Sequence, residues 1–423
     1  MTTAFDKSHC DNWSLSQWLC YLETIHTKEI DLGLARISQV SNRLGINLKN
    51  SKVITVAGTN GKGTTCAFLE NYLRQIGHSV AVYSSPHIEK FNERLRLDGV
   101  DVEDVSWVEA LRKIEIVREE ISLTYYEFTT LAALLILQRI TPDFVILEVG
   151  LGGRLDATNI IDADCSVLTT VDLDHQAFLG NDRETIGFEK AGIFRAGKPA
   201  IIGDVCPPNS VIRFATEIKA NCIVRNKSFS VEHGDSGWSW TCGDTTLDTL
   251  PWPHIPLDNV ATALASLLSL NVNLERELTQ KVIEKTKVAG RTELFNDNCE
   301  VMLDVGHNPQ AARYLAEVVS SRRYSAVHAV LGMMKDKDIS STINIMKDVV
   351  DSWYFATLTG DRAAKSLDIS ELAQDMSISG NCFDNVVEAY TMAQKNARSD
   401  ELVLVFGSFF TVAEIRPMLL ERT

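Results

Sequence analysis

A chain of 423 residues, 45% hydrophobic and 23% charged, has length for two domains with full cores, and its ordinary composition excludes a disordered or fibrous protein. A formal net charge of -15 argues against a nucleic-acid binder, which needs a basic face. No apolar run approaches the ~18–20 residues of a membrane span. The nine cysteines are scattered and odd in number, with no CxxC pair, which reads as reduced thiols. The start MTTAFDKSHCDNWS lacks the charged-then-apolar pattern of a signal peptide. The expectation is a cytoplasmic protein with neither nucleic-acid nor membrane partners.

Residues 14–25, SLSQWLCYLETI, place Leu15, Trp18, Leu19, Leu22 and Ile25 on one helical face, with Ser14 as N-cap. A loop carrying Asp31, Leu32, Gly33 and Leu34 precedes a second helix over 35–44. Next comes VITVAGTNGKGTT at 53–65, read as a strand, a glycine-rich turn and a helix. The turn's backbone N–H groups and the helix N-terminus favour an anion at one point. Lys62 adds a mobile positive charge, and Thr64 a hydroxyl suited to a phosphate-bound Mg²⁺. The spacing departs from GxxxxGK[ST]: Val56 stands at the first glycine position and Gly63 follows the lysine. We read a nucleoside triphosphate site here, with a plain turn between strand and helix as the alternative.

A strand over 79–85 ends in Ser-Pro-His, a helix exposed on one side is predicted over 101–120, and an apolar helix over 127–140. The buried strand 143–149 delivers Glu148 beside the phosphate loop, where a Mg²⁺ ligand would lie. Alternating strands and helices imply a parallel sheet covered on both faces. In the following GLGGRLDATN, Arg154 and Asp156 either contact substrate or pair with each other. A strand over 165–171 runs into Asp172, Asp174 and His175, on the same edge as Glu148. Lys190 falls in an apolar helix over 185–194; a surface pair or a snorkelling side chain is the ordinary reading of such a lysine.

A strand over 199–203, a hairpin over 229–242 around HGDSG, and a helix over 259–270 capped by Asp258 complete the first domain. From Glu300 the pattern restarts as a second α/β unit, with strands near 300–305, 326–333, 353–358 and 402–406 and no phosphate loop of its own. Asp304 and His307 fall at a strand's C-terminal edge, where open α/β sheets bind ligands. The expected fold is therefore α/β: a P-loop ATP-binding domain over 1–295 with a parallel-rich sheet, and a smaller Rossmann-like domain over 296–423.

Read together, GTNGKGTT (58–65), SSPH (84–87), LEVGLGGRLDATN (147–159), LDHQAFLG (173–180), EKAGIFR (189–195), DNVATALA (258–265), GRTELF (290–295), DVGHNP (304–309) and GSFFTVAEI (407–415) closely resemble the folylpolyglutamate synthases. The resemblance is strongest to the bacterial bifunctional dihydrofolate synthase/folylpolyglutamate synthases, relatives of the muramyl peptide ligases, and it covers nearly the whole chain. It implies a Mur-ligase-like fold and an ATP-dependent, ADP-forming ligase. Such an enzyme adds L-glutamate to 7,8-dihydropteroate and to the glutamate chain of reduced folates through an acyl phosphate, as a monomer.

By the same resemblance, Thr59, Asn60, Gly61, Lys62, Gly63, Thr64, Asn259, Arg291 and Asp304 bind ATP. Thr64, Ser85, Glu148 and His175 are implied metal ligands, for two Mg²⁺ sites with a monovalent cation such as K⁺ as a further candidate. Lys62, Lys190 and His175 form the implied catalytic set, with Lys190 carbamylated. Pteroate would meet Asp31, Leu32, Gly33 and Leu34; Thr124, Tyr125, Tyr126 and Glu127; and Leu155, Asp156 and Ala157. The chain departs from the family pattern at Phe188 (often arginine), Gly306 (often alanine), Phe410 (often histidine) and Gln176 (often threonine). A muramyl ligase is the rival within the same chemistry, and a nucleotide-dependent switch is the rival from another class.

Overall fold

The computed structural model describes residues 12–28 and 30–422; the reading of the extreme N-terminus, Cys10 included, lies outside them. Two compact units result, one of residues 1–86 and 91–286 and one of 87–90 and 287–423. The first unit's eight-stranded sheet holds β1 (Lys52–Ala57), β2 (Val80–Tyr83), β3 (Leu95–Leu97), β4 (Val100–Asp101), β5 (Phe144–Glu148), β6 (Cys165–Leu168), β7 (Pro199–Ile202) and β8 (Asn221–Val224). Their order is β4-β3-β2-β5-β1-β6-β7-β8. The run from β2 to β8 is parallel, and β3 and β4 add an antiparallel edge. Every residue of β2, β5 and β6 is buried, as a sheet covered on both faces requires.

Local signals fix the helices of this unit. Ser14 and Gln17 form a capping box at the start of Leu15–Leu22, which buries Leu15, Trp18 and Leu22. Thr124 and Glu127 do the same for Tyr125–Ile140, whose Phe128, Leu131, Leu134 and Leu137 are buried against the sheet. Each such side chain contributes roughly 1.5–3 kcal/mol on leaving water. Ala35–Leu44 is terminated by Gly45 in the left-handed conformation.

The hairpin is the core of a three-stranded sheet, β9 (Phe229–Gly234), β10 (Gly237–Cys242) and β11 (Thr245–Leu250), in which β10 is central. Trp240 is buried there and its indole N–H donates to the Ala261 carbonyl at 3.1 Å, tying this sheet to the helix Leu257–Ser269. That helix starts one residue before Asp258, so Asp258 lies inside its first turn instead of capping it. Its carboxylate pairs with Arg225 at 3.0 Å.

The second unit has a six-stranded sheet: β12 (Glu293–Asn296), β13 (Glu300–Asp304), β14 (Val327–Leu331), β15 (Ser352–Ala356), β16 (Gly380–Phe383) and β17 (Leu402–Phe406). Its order is β12-β13-β17-β14-β15-β16, parallel except for the β12–β13 pair. That pair explains why the units divide at 286/287 and not at the expected 295/296: Glu293–Asn296 hydrogen bonds to Glu300–Asp304 and belongs to the later sheet. All eight described cysteines are free thiols. No helix among the described residues is long and apolar enough to cross a membrane.

Candidate active site

β1 ends at Ala57 and the helix Lys62–Gln75 begins five residues later, so residues 58–61 form the turn between them. The segment after β6 laces this turn in place. The Thr59 N–H donates to the Thr170 carbonyl at 2.8 Å, the Asn60 N–H to Thr170 Oγ1 at 3.1 Å, and Thr169 Oγ1 to the Asn60 carbonyl at 2.6 Å. Gly61 sits at φ 86°, a left-handed conformation that disfavours any side chain, and a Cβ there would collide with the Asn259 amide. Asn259 is buried and donates to Thr64 Oγ1 at 2.8 Å, while Thr64 Oγ1 donates to the Gly61 carbonyl at 3.1 Å. Thr59, Asn60, Gly61, Lys62, Thr64 and Asn259 thus belong to one hydrogen-bonded loop, Lys62 through its bonds to the Gly58 and Thr59 carbonyls.

Two lysines meet on its rim. Lys62 Nζ donates to the Gly58 and Thr59 carbonyls at 3.0 and 3.2 Å, and Lys190 Nζ donates to the same Gly58 carbonyl at 3.1 Å. Lys190 is buried, which corrects the ordinary expectation of a solvated lysine in that helix. Burial and then the neighbouring Lys62 charge lower its ammonium from 10.5 to about 7, so near neutral pH a large fraction is the free amine.

The parallel order places the remaining candidates along one edge. Glu148 ends β5 and is registered opposite Val56 of β1; its carboxylate oxygens lie 3.8 and 3.9 Å from where a Cβ on Gly63 would be. Ser85 follows β2 by two residues, and His175 follows β6 after the lacing threonines, adopting φ 50° at the start of the short helix Gln176–Leu179. Among the described residues no three His, Cys, Asp or Glu side chains converge into a ready-made metal cage. Carboxylate and hydroxyl oxygens beside a phosphate loop nevertheless fit a hard cation that keeps waters and takes phosphate as ligand.

The three stretches expected to meet pteroate come together in the first unit. Leu34 and Ala157 pack into one core cluster with Phe128, Leu131, Tyr125 and Tyr126. Arg36 ties Asp31 to Glu127, at 2.7 Å to the Asp31 carboxylate and 3.2 Å to that of Glu127. Partial burial works against the Asp31 carboxylate, but Arg36 and Lys28 hold it below its ordinary value. Tyr126 stacks on Tyr83, with centroids 6.3 Å apart, and burial raises its phenol well above the ordinary value. Arg154 and Asp156 do not pair. Arg154 bonds Glu189 at 2.8 Å, while Asp156 accepts from the Leu151 N–H at 2.9 Å and the Thr158 hydroxyl at 2.7 Å. Asp156 therefore shapes its own loop, and burial raises its pKa.

In the second unit, Asp304 ends β13 and accepts from the Thr292 and Gly306 N–H groups at 2.9 and 2.7 Å. Burial raises its pKa, opposed by Arg291, whose guanidinium lies 5.1 Å from the Phe409 ring centroid. His307 Nδ1 lies 2.9 Å from the Val305 carbonyl. A separate cavity of about 880 Å³, lined by Lys52, His78, Asp143, Asp164 and Asn273 among others, opens at the amino-terminal edge of the first sheet, away from these groups.

Comparison with known proteins agrees with this geometry. Residues 56–240 match the model of the Mur ligase middle domain, and 290–409 that of the Mur ligase glutamate ligase domain. The chain is 43% identical over 406 residues to the Escherichia coli dihydrofolate synthase/folylpolyglutamate synthase, covering 96% of this chain and 95% of that one. It belongs to the dihydrofolate synthase/folylpolyglutamate synthase family. The structure of E. coli FolC in complex with DHPP and ADP superposes with a TM-score of 0.93 at 43% identity, covering 97% of this chain and 99% of that one. A bifunctional folylpolyglutamate synthase/dihydrofolate synthase with Mn, AMPPNP and L-glutamate bound gives 0.91 at 43%, covering 97% and 98%.

Within this family frame the departures from pattern sit at exposed or adaptable positions. Phe188 is 39% exposed, packs edge-on to Phe214 and lies under Arg154. Phe410 is 54% exposed, and Gln176 is also exposed. At Gly306 a Cβ would stand 2.7 Å from Asp304 Oδ1 and 2.9 Å from Ala311 Cβ, so an alanine there requires both the carboxylate and the following helix turn to shift. Sequence reasoning missed Thr169, Thr170 and Arg36. The Thr-Thr pair directly after a strand on the phosphate-loop edge was an available signal for the first two. Arg36 had none, because its partners lie in a loop and in a helix 91 residues away.

Proposed function

We propose that this chain is an ATP-dependent, ADP-forming carboxylate–amine ligase that joins L-glutamate to 7,8-dihydropteroate and extends the glutamate chain of reduced folates. The phosphate-loop assembly carries the reading: Gly61, Thr64 and Asn259 are joined by hydrogen bonds, Lys62 bonds the Gly58 and Thr59 carbonyls, and the Glu148 carboxylate lies beside Gly63. The substrate carboxylate oxygen attacks the γ-phosphorus, ADP leaves, and the acyl carbon then carries a phosphate leaving group. The glutamate amine attacks that carbon and phosphate departs, leaving an amide. The loop N–H groups and Lys62 hold the phosphates, supplying positive charge where negative charge accumulates. The family resemblance alone assigns Arg291 and Asp304 as further nucleotide-binding residues.

Thr64, Ser85, Glu148 and His175 would hold Mg²⁺ in two sites, and bound Mg²⁺ neutralises phosphate charge, with K⁺ as a further candidate. Lys190, depleted of its proton by burial, is suited to take up CO₂ as a carbamate: its amine attacks the carbon and releases one proton. A carbamate carbonyl signal from labelled bicarbonate in the native protein, absent in Lys190→Met, would establish this. Loop residues 31–34, helix turn 124–127 and residues 155–157 would line the pteroate site. The enzyme would act as a cytoplasmic monomer, which light scattering of the purified chain checks.

The deciding experiment measures ADP release with Mg²⁺-ATP and L-glutamate, comparing dihydropteroate with tetrahydrofolate. Release with both, with matching amide products, is expected. Release with dihydropteroate alone restricts the enzyme to dihydrofolate synthesis, and release with neither refutes the proposal.

A further inference from the structure

We propose that Arg36 is the positioning residue of the pteroate site, a guanidinium clamp that holds the loop 31–34 against the first turn of the helix Tyr125–Ile140. The inference rests on the ligase reading above. Arg36 is the second residue of Ala35–Leu44, two positions beyond the loop it restrains. Nη1 lies 2.7 Å from the Asp31 carboxylate, and Nη2 donates to the Asp31 main-chain carbonyl at 2.6 Å. On the other side Nη2 lies 3.2 Å from Glu127 Oε1, and Nε donates to Glu127 Oε2 at 3.4 Å. One planar fork therefore engages a carboxylate and a carbonyl of the loop together with the carboxylate of the helix turn. A lysine ammonium, a single point of charge, cannot span that set.

The surroundings make this a geometric device more than a source of stability. Glu127 Oε2 also accepts the Thr124 N–H at 2.8 Å, so the clamp reaches the capping box that starts the helix and precedes Tyr125 and Tyr126. Asp31 is further faced by His26 Nε2 and Lys28 Nζ, each at 3.4 Å. The Glu127 side chain is only 5% exposed, whereas those of Arg36 and Asp31 are 28% and 26% exposed. The Arg36–Asp31 pair is thus partly exposed and adds little net stability, whereas Glu127 is buried and would be left an unpaired charge without Arg36. The clamp's consequence lies in register: Leu32 and Leu34 pack into two different core clusters, and the clamp fixes the stretch between them relative to the helix turn.

The test compares the full-length protein with Arg36→Lys, Arg36→Gln, Glu127→Gln and the double variant R36Q/E127Q. Glu127→Gln keeps the capping-box hydrogen bond while removing the charge. The double variant leaves no unpaired buried carboxylate, so it remains informative where Arg36→Gln alone is unstable. Expected is a rise of tenfold or more in KM for dihydropteroate in Arg36→Gln and in the double variant. In Arg36→Gln, KM for ATP and kcat at saturating dihydropteroate should stay within about threefold, and Arg36→Lys should show an intermediate KM for dihydropteroate. An unchanged dihydropteroate KM in a folded double variant would overturn the clamp, as would a parallel loss of ATP affinity. Wild-type protein with no dihydropteroate-dependent ADP release would overturn the ligase reading itself, and the clamp with it.

Discussion

Replacing Lys190 with methionine should stabilise the first unit in a way that fades as pH rises. The ammonium is buried and its pKa falls from 10.5 to about 7. Below pH 7 the lysine is charged in both folded and unfolded chains, so the full cost of burying the charge is expressed. Between pH 7 and 10.5 only the folded chain has given up the proton, and wild-type stability climbs with pH. Linkage puts the cost at about 5 kcal/mol at pH 6 and about 2 kcal/mol at pH 9. Methionine removes that cost but loses the hydrogen bond to the Gly58 carbonyl, worth about 1 kcal/mol. Lys190→Met should therefore exceed wild type by about 3–4 kcal/mol at pH 6 and by about 1 kcal/mol at pH 9. Urea unfolding followed by tryptophan fluorescence is a suitable assay, since six of the seven tryptophans (Trp13, Trp18, Trp107, Trp238, Trp240 and Trp252) fall in the first unit. Bicarbonate-free buffer keeps the amine unmodified. A gap between variant and wild type that stays constant from pH 6 to 9 would refute the reasoning, because it would mean an ordinary lysine pKa in the folded chain.

Lys62→Ala and Glu148→Ala should each abolish glutamate-dependent ADP release while leaving the thermal midpoint near wild type; retained turnover would remove both residues from the reaction. Gly61→Ala forces a side chain into a left-handed position against Asn259, so ATP affinity by calorimetry should fall at least tenfold. Thr124→Ala removes one half of a capping box and should cost about 1 kcal/mol in urea unfolding. Phe410→His replaces an exposed ring and should change stability by less than about 0.5 kcal/mol, measured in the same way.

What could be read from the chain divides along the range of the interactions involved. The strands, the phosphate loop and the helices at 15–22 and 35–44 were legible because their signals are local: β-branched runs, caps and a glycine at the helix end. The short outer strands β3, β4, β8, β12 and β16 and the third strand β11 were not, because pairing with a neighbour defines them more than composition does. The boundary shifted for the same reason, since β12 belongs to whichever unit supplies β13. The site follows this division. Residues that bind through the main chain of one turn stand in one motif, but the state of Lys190 depends on Gly58 and Lys62, more than a hundred residues away. A lysine in an apolar helix reads alike whether it snorkels or is buried. What decides between the two is the carbonyl that receives it, and that carbonyl is placed by the packing of the sheet.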